Sequence, residues 1–544
     1  MYYRRTMEQF STEEREVLAP YFTNLDGPVF ALVNLPEVVK GALFARYSRS
    51  PKSLRRLFLD EFVSPDGVTV RGDAFDTGRA ERLYERVFFE YGDDSVAQLG
   101  GVHLACEGAS NILTKVLEWG RLMAYLEQST RYIPYDDRPA GRYRYHVPAE
   151  LTGGLRERYV AALDHAFDVY REWLPRMRAF YEARHPRDPG ESESVYRMTI
   201  RAKALDTLRG LLPAATASNV GIYATGQAYE QLLLRMRAHP LAEVRACADL
   251  MLVELRKVMP AFLRRVDMPE RGGVWSAYLS ETQAATRLVA ERLLGPGADA
   301  RRAIDSTSAL VGDDAEEVTL TDFDPDGEIK VVAAALYAVT DRSDQELLAI
   351  ARALTPEQRV DVLRAYVGRR SNRRHKPGRA LERTAYRFDV LADYGAFRDL
   401  QRHRLLTLEW QRLSPRHGWV MPEVVGEAGG AEAWRGVMDA AGELHDAIAG
   451  AGLSEVASYA VAMAYRVRFY MEMNAREAMH VIELRTAPQG HPSYRRVCQT
   501  MHRLIAERAG HRALAAAMTF VDHSEVALER LQAERAAERR RAGR

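Results

Sequence analysis

Tyr229-Glu-Gln-Leu-Leu-Leu-Arg235, with His239 downstream, has a counterpart later in the chain, Met479-His-Val-Ile-Glu-Leu-Arg485, with His491 downstream. Both segments end on an arginine, and a charged, helix-forming segment follows each of them. The spacing of apolar side chains in those following segments is typical of helices. The recurrence of a motif together with its histidine and its following helix predicts a repeated structural unit.

A second pair of similar segments lies earlier in each copy. Ala42-Leu-Phe-Ala-Arg-Tyr-Ser-Arg-Ser50 matches Ala335-Leu-Tyr-Ala-Val-Thr-Asp-Arg-Ser343. Two pairs in the same order predict a diverged tandem duplication, and chance similarity among helices rich in Leu, Ala and Arg is the alternative for either pair alone. The 544 residues also exceed the roughly 250–300 at which single cores stop growing. We therefore expect two homologous domains, residues 1–285 and 286–544.

The composition is that of an ordinary folded protein without a large charge excess. Lys and Arg number 76 against 75 Asp and Glu, which gives no whole-molecule attraction for nucleic acid or an anionic membrane. Cys106, Cys247 and Cys498 lie far apart and show no metal-ligand spacing. No segment has the apolar length of a signal region or a membrane span. We predict a cytoplasmic protein with no nucleic-acid partner, no membrane and no metal.

Helical periodicity dominates the chain, and a few short segments favour strands. Helices are predicted at Arg156–Tyr181, Ala242–Phe262, Ser454–Met473 and Tyr494–Ala506. Runs of β-branched or aromatic residues predict strands at Val29–Val33, Ile329–Val332 and Tyr386–Val390. The pattern therefore indicates a mixture of α and β structure.

The first segment with concentrated chemistry is Glu127-Gln-Ser-Thr-Arg-Tyr-Ile-Pro134, which follows an apolar helical pattern. The hydroxyls of Ser129 and Thr130, local backbone N–H groups and the Arg131 guanidinium are suited to receive a phosphate. Glu127 can accept a hydrogen bond from an N–H group of a base or ring. The alternative is an ion pair at the end of a helix.

The second such segment is Arg398-Asp-Leu-Gln-Arg-His-Arg404. Adjacent side chains on a helix point in different directions, so Arg402, His403 and Arg404 are expected to reach different sub-sites. Close cations depress the pKa of a histidine between them and favour neutral imidazole, and a bound anion would reverse this. The alternative is a solvated basic patch.

At these two segments the chain resembles the flavin-dependent thymidylate synthase family, whose signature is an RHR triplet followed by S-x-N-E-x-S-x-R-Y. The first half has Trp119-Gly-Arg121 at the triplet and keeps the later part as Glu127-Gln-Ser-Thr-Arg-Tyr132. The second half keeps Arg402-His-Arg404 and departs from the signature over Leu405–Arg416. Each half has kept what the other has lost.

The resemblance extends to the nucleotide-binding elements of the family. Asn474-Ala-Arg-Glu-Ala-Met-His-Val-Ile-Glu-Leu-Arg485 looks like the family's N-A-R-x-L-x-N-F-L-x-L-R helix, whose final arginine contacts the nucleotide. His480 stands there in place of an asparagine. Arg209 matches the nucleotide-binding arginine that precedes the family's L-P element, and the second half has Ser458 at that place.

The resemblance also implies a flavin site. Ser48 and Ser95 fall where the family has flavin-contacting hydroxyls, although Asp93 replaces the usual histidine of the second of these loops. The implied cofactor-binding residues are Ser48, Ser95, His403, Arg404, Asn474, Arg476, His480 and His491.

In the family, two neighbouring subunits of a homotetramer share each nucleotide site. The resemblance therefore implies an α+β fold: two homologous helix-rich domains, each with a small, mostly antiparallel sheet flanked by helices, form a pseudo-dimer. One composite substrate site would contain Glu127, Ser129, Thr130, Arg131, Arg209, Arg402 and Arg485. The reciprocal site would be degenerate, with Trp119, Gly120, Arg121, Arg235, Ser414, Arg416 and Ser458. Two chains would pair as a homodimer to give a tetramer-like assembly.

The implied reaction is reductive methylation of dUMP to dTMP, with methylenetetrahydrofolate as carbon donor and FAD, reduced by NADPH, as hydride source. Arg402, Ser129 and Arg485 would be catalytic, because they fix and polarise the uracil ring without a side-chain nucleophile. Asp399 replaces a family glutamine, and a carboxylate at that place would repel the phosphate unless Arg398 or Arg402 neutralises it. The alternatives are a flavoenzyme acting on another nucleotide or a modified pyrimidine, and a non-catalytic flavin- or nucleotide-binding scaffold.

Overall fold

The computed structural model describes residues 8–47, 50–63, 98–189, 192–294 and 316–525, with positions 528, 531, 535 and 539 near the C-terminus. Unit 1, the first of two compact units, comprises Met1–Glu107, Leu122–Glu127 and Asn219–Ala300. Unit 2 comprises Gly108–Arg121, Gln128–Ser218 and Arg301–Arg544. These units group segments that pack together, whereas the predicted domains 1–285 and 286–544 are defined by homology. The boundary between residues 285 and 286 stays a prediction.

The elements up to residue 294 are mostly helical. The strands are β1 (Gly101–Ser110), β2 (Met123–Glu127) and β3 (Ala217–Thr225). The helices are α1 (Thr12–Leu18), α2 (Glu37–Tyr47), α3 (Leu54–Phe62), α4 (Asn111–Leu117), α5 (Gly153–Arg184), α6 (Glu193–Leu208), α7 (Gly226–Arg237), α8 (Ala242–Arg256) and α9 (Val274–Leu294). Short helical turns lie at Pro139–Gly141, Arg209–Leu211, Ala261–Leu263 and Pro269–Gly273.

The elements after residue 315 all belong to unit 2. The strands are β4 (Val318–Phe323), β5 (Ala385–Asp393), β6 (Thr407–Trp410) and β7 (Arg466–Asn474). The helices are α10 (Gly327–Tyr337), α11 (Asp344–Ala353), α12 (Pro356–Val367), α13 (Tyr394–Leu400), α14 (Glu423–Glu427), α15 (Ala431–Gly450), α16 (Ala475–Arg485), α17 (Pro492–Glu507) and α18 (Arg512–Ala517). Short turns lie at Arg379–Arg383, Pro415–His417 and Val456–Ala460. Among the helices described, none is both long enough and apolar enough to cross a membrane.

The two sheets follow the same plan. The strand order is β1-β3-β2 in one sheet and β4-β5-β7-β6 in the other, and both are antiparallel. In each, a strand–helix–strand unit (β1-α4-β2 or β5-α13-β6) is split by a later strand, β3 or β7, which leads directly into a helix. The chain thus has an α+β fold with two sheet-bearing halves, as predicted.

Several local predictions are confirmed. The predicted helices Arg156–Tyr181 and Tyr494–Ala506 lie within α5 and α17, and the predicted strand Tyr386–Val390 lies within β5. The predicted helix Ala242–Phe262 is shorter than expected, because α8 ends at Arg256. Pro260 follows, and a proline ring clashes with a helical backbone before it.

Three local predictions are wrong. Ser454–Met473, predicted as a helix, contains a short helical turn followed by most of β7, whose side chains alternate between buried and half-buried along the strand. That alternation has the period of two that belongs to a strand. Ile329–Val332, predicted as a strand, lies inside α10. Val29–Val33 forms no strand, and its one ladder contact is an isolated bridge from Leu32 to Phe22.

Aromatic packing fixes the position of the short helix α13. The Phe397 ring lies 5.0 Å from that of Phe469 on β7 and 5.5 Å from that of Trp410 on β6. Asp393 caps the helix by accepting the N–H of Ala396 at 2.9 Å. Seven residues do not make a stable helix in water, whereas burial of one Phe contributes about 1.5–3 kcal/mol. Packing therefore places the residues at the end of α13, where the second chemical segment begins.

Candidate functional site

Asp399 lies at the centre of a cluster of arginines. Arg402 donates from Nη2 to Asp399 Oδ1 at 2.5 Å, and Nη1 of Arg209 lies 3.4 Å from Oδ2. Nη1 of Arg485 lies 3.8 Å from Oδ1, and its Nη2 donates to the backbone carbonyl of Asp399. Burial raises the pKa of Asp399, but the surrounding guanidinium charges, that of Arg402 first, hold the pKa well below its usual range. The carboxylate is therefore ionised.

Arg131 joins the same cluster. It donates from Nε to Asp206 Oδ1 at 2.7 Å and from Nη2 to Oδ2 at 2.5 Å, and its Nη1 donates to the Tyr494 hydroxyl at 3.2 Å. Burial lowers the pKa of Arg131, but the Asp206 charge outweighs burial and the pKa is raised. The bidentate geometry is the stronger form of an arginine–carboxylate contact. Arg131 is thus held as a nearly buried cation.

The cluster keeps an excess of positive charge. Its cations are Arg131, Arg209, Arg402 and Arg485, and its anions are Asp206 and Asp399. Among the residues that the structure describes, the cluster thus has four guanidinium groups and two carboxylates, an excess of two positive charges. Buried charge without compensation is costly, so the arrangement favours an anionic ligand.

Arg209 has one nitrogen that donates no hydrogen bond within the described chain. Its side chain is 5% exposed, and within the described chain its Nη2 atom is buried without a hydrogen-bond partner. The guanidinium packs over the backbone of Gly395, where a Cβ atom would lie 3.0 Å from Arg209 Nε and 2.9 Å from Asp393 Oδ1. Only glycine leaves room for this close approach.

A cleft of about 320 Å³ opens beside Arg209. It is lined by Asp206, Thr207, Arg209, Gly210, Asp393, Gly395, Val420, Pro422, Trp434, Met463, Ala464, His491 and Ser493. All of these residues belong to unit 2. The lining combines an aromatic ring with a few polar groups, which is typical of sites for small organic ligands.

His403 links the arginine cluster to helix α16. Its Nε2 accepts a hydrogen bond from Arg485 Nε at 2.9 Å, and its Nδ1 lies 3.8 Å from Glu477 Oε1. Burial lowers the pKa of His403 well below its usual value, lowers that of His480 to about 4, and raises that of Glu477 to about 7. Both imidazoles are therefore neutral at pH 7.

His403, Glu477 and His480 also have the donor types of a metal site, with donor atoms within 4.8 Å of one another. Their surroundings oppose a cation, however. Arg485 occupies one ring nitrogen of His403, and the charges of Lys376, Arg373 and Arg476 all act on His480. Positive surroundings of this kind favour an anionic ligand.

Four of the predicted substrate-binding residues meet in one cluster, namely Arg131, Arg209, Arg402 and Arg485. Ser129 orders this segment locally, since its Oγ accepts the backbone N–H of Arg131 at 3.2 Å. Thr130 is buried. Glu127 is the last residue of β2, where it pairs with Val220 in unit 1. Their contacts with a substrate stay predictions.

The described residues among the predicted flavin contacts differ in burial and in hydrogen bonding. Asn474 caps α16 by accepting the N–H of Glu477 at 2.9 Å, and Arg476 donates from Nε to the Pro377 carbonyl at 2.9 Å. Nδ1 of His480 is buried and has no hydrogen-bond partner in the described chain, and Arg404 is exposed. Ser48 and Ser95 lie outside the described residues.

His491, also a predicted flavin contact, lies beside the arginine cluster. It lines the cleft beside Arg209 and caps α17, where its Nδ1 accepts the N–H of Ser493 at 3.2 Å. Its Nε2 lies 3.4 Å from the Asp206 carbonyl. Burial, then the charges of Arg209 and Arg131, lowers its pKa well below the usual value.

Several residues of the site were missed by sequence reasoning. Asp206 and Tyr494 fix Arg131, and Glu477 faces His403. Asp206 lies 75 residues from Arg131 along the chain, so nothing local signals the pair. Glu477 could have been found from the sequence, because it lies three residues before His480 and therefore on the same face of the predicted helix.

Two residues of the predicted reciprocal site, Trp119 and Arg121, have structural partners. Trp119 donates from its indole N–H to the carbonyl of Leu408 at 3.2 Å, and its ring lies 5.5 Å from that of Trp410. Arg121 donates to the hydroxyl of Thr407 at 3.0 Å. This remnant of the triplet therefore contacts β6 and carries no second arginine cluster in the described part of unit 2.

Comparisons with known proteins agree with the internal repeat. The family model described as "Thymidylate synthase complementing protein" matches residues 44–261 and again residues 319–509. A UPF0159 protein of Chlamydia pneumoniae is 38% identical over 535 residues, which cover 97% of this chain and 98% of that protein. A flavin-dependent thymidylate synthase of Clostridium tetani is 25% identical over 218 residues, which cover 39% of this chain and 81% of that enzyme.

Among solved structures, the UMP/dUMP methylase PolB of Streptomyces cacaoi, bound with 5-Br dUMP, matches at 20% identity and a TM-score of 0.29, over 37% of this chain and 94% of that one. The sequence matches carry the assignment. The two family-model regions contain Arg131 and Arg209 in the first and Arg402 and Arg485 in the second. The chain belongs to the thymidylate synthase complementing protein family, whose pattern it carries twice, as the internal repeats predicted.

Proposed function

We propose that this protein binds a pyrimidine nucleoside monophosphate, with dUMP as first candidate, and methylates its base. The arginine cluster is the observation that carries the proposal. A phosphate monoester bears about −1.5 to −2 charges at pH 7, which complements the two positive charges that the cluster leaves over. The unpartnered Nη2 of Arg209 adds a donor for a phosphate oxygen.

In this proposal, the chain's own residues position the nucleotide and polarise its uracil ring. Arginines beside a uracil ring withdraw charge towards its carbonyl oxygens and stabilise negative charge that develops there. Arg402 and Arg485 are the predicted catalytic pair for this role, with Ser129 fixing the ring. His403 holds Arg485 by accepting its Nε–H, so it orients the guanidinium rather than taking a proton from it.

FAD is the proposed cofactor, because relatives in the family are named flavin-dependent thymidylate synthases. The chain offers a fitting place: Nδ1 of His480 is buried and unpartnered within the described residues, and cationic side chains act on it. His480 and Arg404 would hold the flavin, which supplies the hydride that reduces the transferred carbon. NADPH and methylenetetrahydrofolate stay predicted co-substrates.

The assembly is also part of the proposal. The complementary losses in the two halves support a pseudo-dimer of the predicted domains 1–285 and 286–544 with one composite nucleotide site. Pairing of two chains would give the tetramer-like assembly that the resemblance implies. A cytoplasmic location stays a prediction.

Arg402→Ala tests the nucleotide site. We expect dUMP affinity, measured by calorimetry on the full chain, to fall at least tenfold, because loss of a charge-assisted hydrogen bond costs about 1.5–3 kcal/mol. Arg503→Ala is the matched control, since Arg503 is an exposed arginine bonded to Thr500 on α17. Unchanged affinity in Arg402→Ala would contradict the composite site.

The reaction is tested separately from binding. The protein is incubated with dUMP, methylenetetrahydrofolate, NADPH and FAD, and dTMP is measured by chromatography. Formation of dTMP supports thymidylate synthesis. If the reduced flavin is not reoxidised with dUMP but is reoxidised with another pyrimidine nucleotide, that nucleotide would replace dUMP as the proposed substrate. Binding of dUMP without any turnover would identify a non-catalytic nucleotide-binding protein.

A further inference from the structure

The segment Gly368-Arg-Arg-Ser-Asn-Arg-Arg-His-Lys-Pro-Gly378, named here the cationic loop, lies in unit 2 outside the arginine cluster. Its eleven residues include four arginines, one lysine and one histidine, and no carboxylate. Gly368 ends α12 with φ +64° and ψ −173°, a backbone region that glycine alone adopts readily. The chain therefore leaves the helix sharply and enters the loop.

Helix α16 anchors the cationic loop at both ends. Arg370 forms a bidentate, buried ion pair with Glu483, with Nη1–Oε1 and Nη2–Oε2 distances of 2.6 Å. Its Nε also donates to the carbonyl of His375 at 2.7 Å. Near the other end, Arg476 donates to the carbonyl of Pro377 at 2.9 Å. The loop is thus held in one conformation before any ligand binds.

Within the described residues, the remaining cations of the loop have no partner. Arg369, Arg374 and Lys376 are exposed and Arg373 is half-buried. In the part of the chain that the structure describes, these four side chains form no ion pair and no side-chain hydrogen bond. Like charges on one short loop repel one another, so an anion bound among them would relieve the repulsion.

The loop faces the part of α16 that carries His480. Lys376 is the largest charge that lowers the pKa of Glu477 against the effect of burial. Lys376 and then Arg373 add to burial in lowering the pKa of His480. The unpaired cations therefore lie near the unpartnered Nδ1 of His480, at the edge of the predicted flavin site.

We propose that the cationic loop binds the diphosphate group of a nucleotide cofactor. Two adjacent phosphoryl groups offer oxygens to several guanidinium forks at once, whereas one monophosphate leaves most of the four cations unpaired. Preorganisation by Arg370 reduces the ordering cost of binding. The identity of the cofactor rests on the proposed function, and the anion site itself does not.

The test uses a double variant that removes two of the four unpaired cations. Arg373→Ala with Lys376→Ala is compared with Arg342→Ala with Arg364→Ala, which deletes the same charge from exposed positions elsewhere in unit 2. Inorganic pyrophosphate, ADP, FAD and dUMP are titrated separately by calorimetry at two salt concentrations. Circular dichroism checks that both proteins are folded.

We expect the loop variant to bind pyrophosphate, ADP and FAD about tenfold more weakly and with a smaller salt dependence, while its dUMP affinity changes less than twofold. The control variant should bind all four ligands as the wild type does.

Equal losses in both variants, or unchanged ADP affinity in the loop variant, would overturn the proposal. A single-stranded oligonucleotide that binds more tightly than ADP, and is lost in the same variant, would reassign the loop to nucleic acid. Loss of dUMP binding in Arg402→Ala leaves these results untouched, so the two proposals fail independently.

Discussion

Asp399 occupies the place in the arginine cluster where a ligand's negative charge is expected. Its carboxylate contacts Arg402 and Arg209, and Arg485 lies beside it. A buried ion pair contributes little net stability, but removal of one partner leaves buried charge behind. Asp399 therefore holds the arginines in position, and in the proposed site it would also repel the phosphate of the nucleotide.

Asp399→Asn separates these two effects. The excess of positive charge rises from two to three, so we expect dUMP to bind about tenfold more tightly, equivalent to about 1.4 kcal/mol. The arginines lose a charged partner, so the free energy of unfolding should fall by about 1–3 kcal/mol. Calorimetry and urea unfolding measure the two quantities. Weaker nucleotide binding in this variant would show that positioning of the arginines matters more than charge.

The arginines of the site could be predicted from sequence, and their partners could not. Arg131, Arg209, Arg402 and Arg485 follow from motif positions, because the chemistry of phosphate binding restricts the residue type at each. Asp206 and Tyr494 reach Arg131 through folding alone, from 75 and 363 residues away. Contacts over such separations leave no local pattern.

At the scale of elements, the start of α17 combines a helix cap with a buried titratable group. His491 accepts the N–H of Ser493, and burial with Arg209 and Arg131 lowers the pKa of its imidazole. The unfolded chain takes up a proton on this histidine below its ordinary pKa of 6.5, whereas the folded chain does not. Stability from His491 is therefore present above pH 6.5 and is lost as the pH falls below it.

His491→Asn tests this pH dependence, because asparagine keeps a capping acceptor and does not titrate. We expect the stability of the wild type to fall, relative to the variant, by up to about 1.4 kcal/mol per pH unit below pH 6.5. Unfolding in urea at several pH values between neutral and mildly acidic measures the difference. Other buried histidines are common to both proteins and cancel. Parallel stability curves would contradict the assignment.

Elements whose apolar side chains recur with one clear period could be predicted from sequence. Elements whose pattern fits both a helix and a strand could not. In α5 the helical spacing persists over 32 residues and leaves no alternative. Ser454–Met473 is rich in Ala and Met, which favour helices, yet β7 forms there because it pairs with β5 on one side and β6 on the other. Ile329–Val332 is β-branched but lies in α10, since tertiary packing overrides a weak local preference.

At the scale of the whole molecule, the duplication predicts one nucleotide per chain. In the first-half triplet, Trp119 stands at the place of Arg402 and, like Arg121, contacts β6, so this triplet supplies no counterpart of Arg402. We expect a stoichiometry of about one dUMP per chain in calorimetry. Arg121→Ala should leave both stoichiometry and affinity unchanged. A value near two would show that the reciprocal site is intact.

Although its formal charge is only +1, the chain carries two concentrated basic regions, and the duplication bears on the first of them, the arginine cluster. A single-copy subunit must keep every site residue, because each copy serves both sides of a shared site. Two linked copies are free to specialise, and here the retained arginines are divided between the two matched regions. Sequence comparison predicted this division, whereas the cationic loop became apparent only once its internal partners were known.

Helix α16 acts as a spacer between these two basic regions. Arg476, near its start, contacts the cationic loop, and Arg485, at its end, belongs to the arginine cluster. Nine residues of helical rise separate them by about 14 Å. That length exceeds the Debye length of about 8 Å at physiological salt, so a nucleotide and a diphosphate bound at opposite ends of the helix would repel each other only weakly. The length of one helix would thus allow both proposed anion sites to be occupied at once.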